Sequence, residues 1–467
     1  METTNAWKKY TSQNLDELQS FTEDYKNFIS ENKTERECAS SAIKLAEAAG
    51  YVKLSDAIAA GKILKAGDKV YADIRGKSVI FIQIGTKSLE EGLNILGAHI
   101  DSPRLDVKQN PLEERNELAT FDTHYYGGVK KYQWVTIPLA IHGVLALKDG
   151  SVVNVCVGED PSDPVFCISD LLIHLSAEQL GKPASKVIEG EMLDLIVGNR
   201  PLVWGQNGEK PADTEDDEPK EAVKANVINI LKDLYGIEEA DLLSAELEIV
   251  PAGPARDMGF DRSMILGYGH DDRSCSYPSL IAQLKCDAPV RTSVTILTDK
   301  EEIGSMGNTG LDSGYVYDYL CYLAQNKGAD VKEVCAHSAC LSADVNAAYD
   351  PTFSDVYEEN NSCYFNHGCV LTKYTGARGK GGSSDASAEF MAKVIDIMDK
   401  AGVYWQIGEL GAVDVGGGGT IAKFVAEMNI DVVDLGVPII SMHSPFELSS
   451  KLDLYNTYLA FKAFYEE

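Results

Sequence analysis

Several absences narrow the reading before any motif is considered. The ten cysteines form no CxxC pair and no zinc-finger spacing. They read as reduced, mostly buried thiols rather than as a thiolate metal module or a disulfide framework. Basic residues are few beside acidic ones, with Lys+Arg 42 against Asp+Glu 72 and a formal net charge of −30. A surface of that sign repels phosphate backbones and anionic bilayers, which argues against nucleic-acid and membrane partners and favours a dispersed, soluble protein. Long apolar runs are missing too. The most apolar stretch, WVTIPLAIHGVLAL from Trp134 to Leu147, is too short to cross a bilayer and contains His142. The opening METTNAWKKYTSQNLDE is polar and unlike an export signal, so the expected location is cytoplasmic. There is no internal repeat, and VGGGGT lacks the strand–GxGxxG–helix setting of a dinucleotide site.

What remains is a chain of 467 residues, long for one hydrophobic core. Its first ninety residues read as two helices followed by strands. Leu15, Leu18, Phe21, Tyr25 and Phe28 fall on one helical face, and Thr34 with Glu37 forms a capping box for a second helix that Gly50 stops. KVYADIR and SVIFIQIG flank Gly76-Lys77 as a hairpin, and LNILGAHIDSP runs apolar until His99. From about Pro111 to Ala240 the texture changes. VTIPLAIHGVLALKDGSVVNVCVG is a second hairpin around Asp149-Gly150, with Pro138 marking an edge or bulge. NGEKPADTEDDEPKEA reads as a solvated charged loop. Thereafter strand-like runs (RTSVTIL, EVCAHSACLS, DVVDLGVPIIS) alternate with helical ones (SYPSLIAQLK, DASAEFMAKVIDIMDK, GTIAKFVAEM). A last helical face carries Leu448, Leu452, Tyr455, Leu459 and Ala463. The expectation is an α/β fold, a central mixed sheet flanked by helices, formed by residues 1–106 and 245–467 and interrupted by a β-rich insertion at 107–244.

Open α/β sheets build sites where strands end, and here strand-like runs end repeatedly in metal-ligand types. LNILGA leads into His99 and Asp101, SVTIL into Glu301 and Glu302, the CLSA run into Asp344, and VPIISM into His443. GYGHDDRS places Asp271 and Asp272 just before a helix. Singly, each has an ordinary explanation: a structural histidine, an N-cap aspartate, a solvated Glu-Glu pair. Jointly they form an imidazole–carboxylate set that suits zinc, manganese or cobalt. Two histidines, a glutamate and two aspartates exceed what one catalytic zinc uses, and suffice for two ions sharing a carboxylate. Adjacent side chains on a tight turn point in different directions, so one glutamate of the pair is free to bind metal while the other serves as general base.

GAHIDSPRL, GHDDR, DKEEIGS, LSADVNAA and ISMHSPFEL, in this order, resemble the five site motifs of the aspartyl aminopeptidase family of dinuclear zinc exopeptidases. That resemblance implies a metal-dependent aminopeptidase that removes the N-terminal residue, acidic or otherwise, from peptides. It implies two divalent ions per subunit, zinc or else cobalt or manganese. His99, Asp271 and Asp344 would hold one ion and Asp271, Glu302 and His443 the other. Glu301 would be the proton shuttle, and Asp101 would orient His99. Asp272 stands where many relatives carry asparagine. The insertion resembles the family's dimerisation domain, which implies a homo-oligomer, a tetrahedral dodecamer built from dimers. His174 in LLIHLS matches a histidine that reaches a neighbouring subunit's site, with a structural role as the alternative. TKYTGARGKGGSS and AVDVGGGGT resemble substrate-pocket segments, which nominates Lys373 and the run Gly416 to Gly419, with Gly417 at its centre. His337 is expected in the core; no motif promotes His270, next to Asp271 in sequence, and a supporting place beside the metal ligands is its alternative. Competing readings are another metal hydrolase of this architecture, a deacylase or carboxypeptidase, and a non-catalytic assembly or cargo-shell protein with a vestigial site.

Overall fold

A computed structural model of the protein describes residues 4–210 and 219–467. The acidic loop at 207–222 lies in large part outside them. Runs of β-branched and apolar residues form a nine-stranded mixed sheet from β1 (Val52–Lys53), β2 (Lys69–Ile74), β3 (Ser78–Gln83), β4 (Leu93–His99), β5 (Thr292–Thr298), β6 (Ala339–Ser342), β7 (Cys369–Thr372), β8 (Trp405–Ile407) and β9 (Asp431–Gly436). The spatial order is β1-β2-β3-β5-β4-β6-β9-β7-β8. The hairpin turn between β2 and β3 is left-handed at Arg75 and Gly76. The four central neighbours β5, β4, β6 and β9 are mutually parallel, with Thr298 beside His99 and Gly97 beside Ser342. Their carboxyl ends therefore open at one edge, which fixes where a site can form.

Strand side chains alternate between faces, and both faces are covered. Leu96, Ala98, Leu297 and Leu341 pack with the helices α1 (Ser12–Glu31), α2 (Glu35–Ala48), α3 (His270–Leu284), α6 (Ala388–Ala401) and α8 (Lys451–Glu466). Leu93, Ile95, Val294 and Ile296 pack with α4 (Tyr315–Lys327), α5 (Val331–Ala336) and α7 (Ala422–Ala426). Phe461 and Phe464 of α8 are essentially inaccessible, each contributing about 1.5–3 kcal/mol by burial. The Thr34–Glu37 capping box starts α2 as its sequence requires.

Three local expectations need correction. EVCAHSACLS is not one strand: Asp330 caps the helical turn α5, and only Ala339–Ser342 is extended. His337 is consequently an exposed helix-end residue, its Nδ1 2.8 Å from the Glu90 carbonyl, and not a core residue. Leu448 belongs to the short strand Glu447–Ser450, because α8 starts only at Lys451. That strand joins a second, five-stranded sheet with Arg256–Met258, Met264–Gly267, Pro438–Ile440 and Asn346–Ala347.

Contact density divides the chain in two. One unit comprises residues 1–102, 255–442 and 446–467; the other comprises 103–254 and 443–445. The second unit therefore starts four residues before 107 and runs ten past 244, because the strands Arg104–Arg115 and Ala245–Pro251 pair with each other inside it. It holds a six-stranded antiparallel sheet in the order 152–157, 139–146, 245–251, 104–115, 118–126, 195–198. The helix Ala222–Tyr235 lies against Gly198, where an added Cβ would come 2.8 Å from Val227. Leu171, Leu172, Ile173 and Leu175 are all exposed, Ile173 by 69% and Leu175 by 68%. Among the described residues no helix is long and apolar enough to cross a membrane.

Candidate metal centre

His99 is the last residue of β4 and is 1% exposed. Its Nδ1 lies 3.0 Å from the Asp101 carbonyl oxygen and 3.2 Å from an Asp101 carboxylate oxygen. A carbonyl only accepts, so Nδ1 carries a proton, and in the neutral ring Nε2 would present its lone pair. Nε2 points at carboxylates: Asp271 at 3.1 Å, and Asp344 and Glu301 each at 4.0 Å. Ligand atoms of His99, Asp271 and Asp344 all lie within 4.8 Å of one another.

Asp271 reaches that position because α3 opens irregularly. Gly269 is left-handed, and a Cβ there would sit 1.9 Å from the Arg273 guanidinium. Asp271 itself has non-helical angles, its N–H donates to Glu447 at 3.0 Å, and its carbonyl accepts from Ser102 at 2.5 Å. His270, next to it, is buried, and burial pulls its pKa down to about 3. It is a neutral ring 2.7 Å from the Tyr25 hydroxyl. Asp344 follows β6, where β9 passes so closely that a Cβ on Gly436 would stand 1.8 Å from the Asp344 carbonyl oxygen.

Glu301 and Glu302 start a single 3-10 turn after β5. Their two backbone N–H groups donate to the two carboxylate oxygens of Asp101, at 3.1 and 3.2 Å. Asp101 thus does more than orient the His99 ring: it also ties that ring to the turn bearing both glutamates. Carboxylate oxygens of Glu302 and Asp271 lie within 4.8 Å of each other.

So many buried acids make an unfavourable set without a cation. Burial raises Asp344 well above the usual carboxylate range; the Asp272 charge adds to this and His99 opposes it. Burial likewise raises Asp272, which His99 lowers and Asp271 raises again. A protonated Asp272 is neutral and sterically close to asparagine. Burial lowers His99, but hydrogen bonds to Asp101 and Asp271 and the Asp272 charge leave it raised overall. Divalent cations would reverse this, holding carboxylates ionised and imidazole neutral. Nitrogen and oxygen donors without a thiolate fit zinc, with manganese or cobalt as alternatives.

The other nominated residues are His443, His174, Lys373 and Gly417. His443 sits in the turn after Pro438–Ile440, grouped with the second unit, and its Nδ1 is 2.9 Å from the Gly128 carbonyl. Like His99, it therefore carries a proton on Nδ1. His174 is exposed in the turn Ile173–Leu175 of the second unit. Lys373 follows β7, is exposed, and pairs with Asp385. Gly417 pairs with Ala377, so the two nominated segments form one small two-stranded flap. Sequence reasoning missed Glu447 and Tyr25. The first lies within the quoted motif ISMHSPFEL; the second is one residue of a helical face, and only the fold brings it to His270.

These features find close counterparts. Residues 28–465 match the family described as aminopeptidase I zinc metalloprotease (M18). A probable M18 family aminopeptidase 1 of Clostridium acetobutylicum is 52% identical over 464 residues, 98% of this chain and 97% of the relative. The crystal structure of aminopeptidase I from Clostridium acetobutylicum matches with a TM-score of 0.91 at 51% identity, covering 100% of both chains. That of an M18 aminopeptidase from Thermotoga maritima gives 0.92 at 43% identity, covering 100% of this chain and 99% of the other. The fold persists at 22% identity in the mApe1 dodecamer of Saccharomyces cerevisiae, with a TM-score of 0.75 and 97% of each chain covered. With its full-length match to these enzymes and its strand-end set of histidine and carboxylate donors, the chain belongs to the M18 family of zinc metallo-aminopeptidases.

Proposed function

We propose that this metal-dependent aminopeptidase works with two ions. His99, Asp271 and Asp344 would hold one, Asp271, Glu302 and His443 the other, and Asp271 would bridge them. The observation that carries this reading is a feature the two histidines share: each Nδ1 lies against a backbone carbonyl, so in the neutral ring Nε2 is the nitrogen that would bind metal. When bound, such ions supply Lewis-acid polarisation of the scissile carbonyl and acidify water. The protein's own groups do the rest. The Glu301 carboxylate, 4.0 Å from His99 Nε2, would take the proton of the attacking water and pass it to the leaving amine. Asp101 keeps His99 and both glutamates in register for that transfer.

The flap bearing Lys373 and Gly417 is proposed to face the substrate's first residue. Because Asp385 already pairs with Lys373 and, at 2.9 Å, with Lys380, preference for an acidic residue is expected to be modest. Homo-oligomerisation is proposed through the second unit. Its exposed Leu171 and Leu175 line a cleft of about 540 Å³ with Val187, Ile188 and Met192, and exposed apolar patches mark association surfaces. His174, beside Leu175 in the exposed turn Ile173–Leu175, is proposed to serve a neighbouring copy. A dodecamer, as in the yeast protein, and a cytoplasmic location complete the proposal. Peptides blocked at either end test the reaction together with metal analysis. Cleavage confined to free amino termini with about two ions per chain supports the reading; release of carboxyl-terminal residues would refute it.

A further inference from the structure

The turn carrying Glu301 and Glu302 has an unusual backbone. Lys300 (φ 68°), Gly304 (φ 90°) and Ser305 (φ 59°) are all left-handed within six residues. Two of them carry side chains that disfavour this region, so the conformation persists only if its surroundings over-determine it. Asp101 holds the turn from one side. On the other side lies a second, wholly separate network. The Asp299 carboxylate accepts from the Thr309 hydroxyl at 2.6 Å and from the Lys300 ammonium at 2.9 Å. That ammonium also donates to the Thr309 oxygen at 2.7 Å, closing a triangle.

The backbone is tied in as well. The Asp299 N–H donates to the Ser78 hydroxyl at 2.9 Å, and the same hydroxyl donates to the Thr309 carbonyl at 2.7 Å. Ser78, the first residue of β3, thus joins both ends of the loop 299–309. Within it the Ser305 N–H donates to the Lys300 carbonyl at 2.6 Å. Asp299 is 1% exposed, Thr309 2% and Ser78 0%, so water does not compete for these bonds. Both bonds fall on one Asp299 oxygen, and the Lys300 ammonium supplies the counter-charge for Asp299 beside the acids of the site.

We propose that Asp299 and Thr309, linked through Ser78 and Lys300, are positioning residues that set the stance of Glu301 and Glu302 without touching substrate or metal. The inference rests on the assignment of Glu301 as base and Glu302 as ligand. Its test is distinct from the test of that assignment. Thr309→Val removes the hydroxyl at nearly constant volume, and Thr309→Ser restores it. Kinetics on the best aminoacyl p-nitroanilide of a panel are measured beside metal content and thermal midpoint. Because sub-ångström displacement of catalytic groups is severe, kcat of Thr309→Val is expected to fall about 100-fold, with KM changed less than about threefold. Thr309→Ser should recover to within about threefold of the parent. A Thr309→Val enzyme at parental kcat overturns the proposal, as does Thr309→Ser as slow as Thr309→Val. Should Thr309→Val not fold, Ser78→Ala, which removes the hydroxyl joining the loop's ends, is held to the same criterion of lost kcat at steady KM. Glu301→Gln is run alongside. If it retains parental turnover, the assignment of the base fails; if it is inactive while Thr309→Val and Ser78→Ala are fast, only the positioning role fails.

Discussion

The parallel strand ends and the glycine flap are both dense in charge, yet they treat charge in opposite ways. At the strand ends His99, Asp271 and Asp272 are at most 3% exposed. Each orienting contact there comes from behind: Asp101 on His99, Glu447 on the Asp271 amide. Water cannot relax such a cluster, so burial itself displaces its titrations and creates the demand for cations. In the flap, Lys373, Lys380 and Asp385 are exposed, two ammonium groups sharing one carboxylate. The backbone there is left-handed at Gly376, Arg378, Lys380 and Gly382. Charges of that kind are screened and contribute little individually. The set of candidate metal ligands is built on a parallel ladder, whereas the flap proposed to face the substrate is built on turns.

If that contrast is right, substitutions at the strand ends must have the larger consequences. Glu301→Gln preserves shape and removes only the proton acceptor. Turnover should fall about 1,000-fold while metal content stays at the parental level; parental turnover would show that another group is the base. His443→Ala should act differently, reducing metal content toward about one ion per chain, since ligand loss weakens binding directly. Undiminished metal in that variant would exclude His443 as a ligand.

Which parts of this were legible in the sequence follows from the same contrast. Strand ends announce themselves because an apolar run must stop before the polar residues of a site begin, as LNILGA stops at His99 and SVTIL ahead of Glu301 and Glu302. The Thr34–Glu37 box and the Asp149-Gly150 hairpin were equally readable, since caps and turns are local chemistry. EVCAHSACLS misled because a helical turn and a short strand share one apolar stretch, and period alone does not separate them. The clamp of Asp101 on the Glu301 and Glu302 amides was invisible, for it joins positions some two hundred residues apart through backbone groups that every residue possesses. The Asp299 network was hidden likewise, its members looking like ordinary loop polars.

Asp434 lies at the joint between the two regions. It is buried in β9, and its carboxyl interacts with Ser342 of β6 and with Thr420, which follows the glycine run. Burial raises its pKa to about 6 from 3.8, with those hydroxyls pulling partly back. The unfolded chain therefore ionises first as pH rises. The group's favourable contribution is present below about pH 4, is lost progressively up to about pH 6, and is gone above that. Asp434→Asn removes the titration. The stability difference, parent minus variant, should fall by about 3 kcal/mol between those limits, read from urea unfolding at matched pH. Titrations common to both proteins cancel in that difference. A flat difference would show that the carboxyl is not desolvated, and the joint would then belong with the flap.

The smallest effect is expected at Lys373, and it bears on specificity. Reading an acidic first residue would require its ammonium to leave Asp385, exchanging one exposed ion pair for another. Such an exchange has almost no net driving force in water. Lys373→Ala should thus alter the ratio of kcat/KM for glutamyl over leucyl anilides by less than about threefold, and the change should shrink further with added salt. The parent enzyme should accept both substrates. A tenfold or greater fall in the ratio would mean that the Lys373–Asp385 pair opens on binding and that desolvation by the bound peptide strengthens the new contact. The flap would then follow the electrostatics of the strand ends, and the distinction between the two regions would hold only in the absence of substrate.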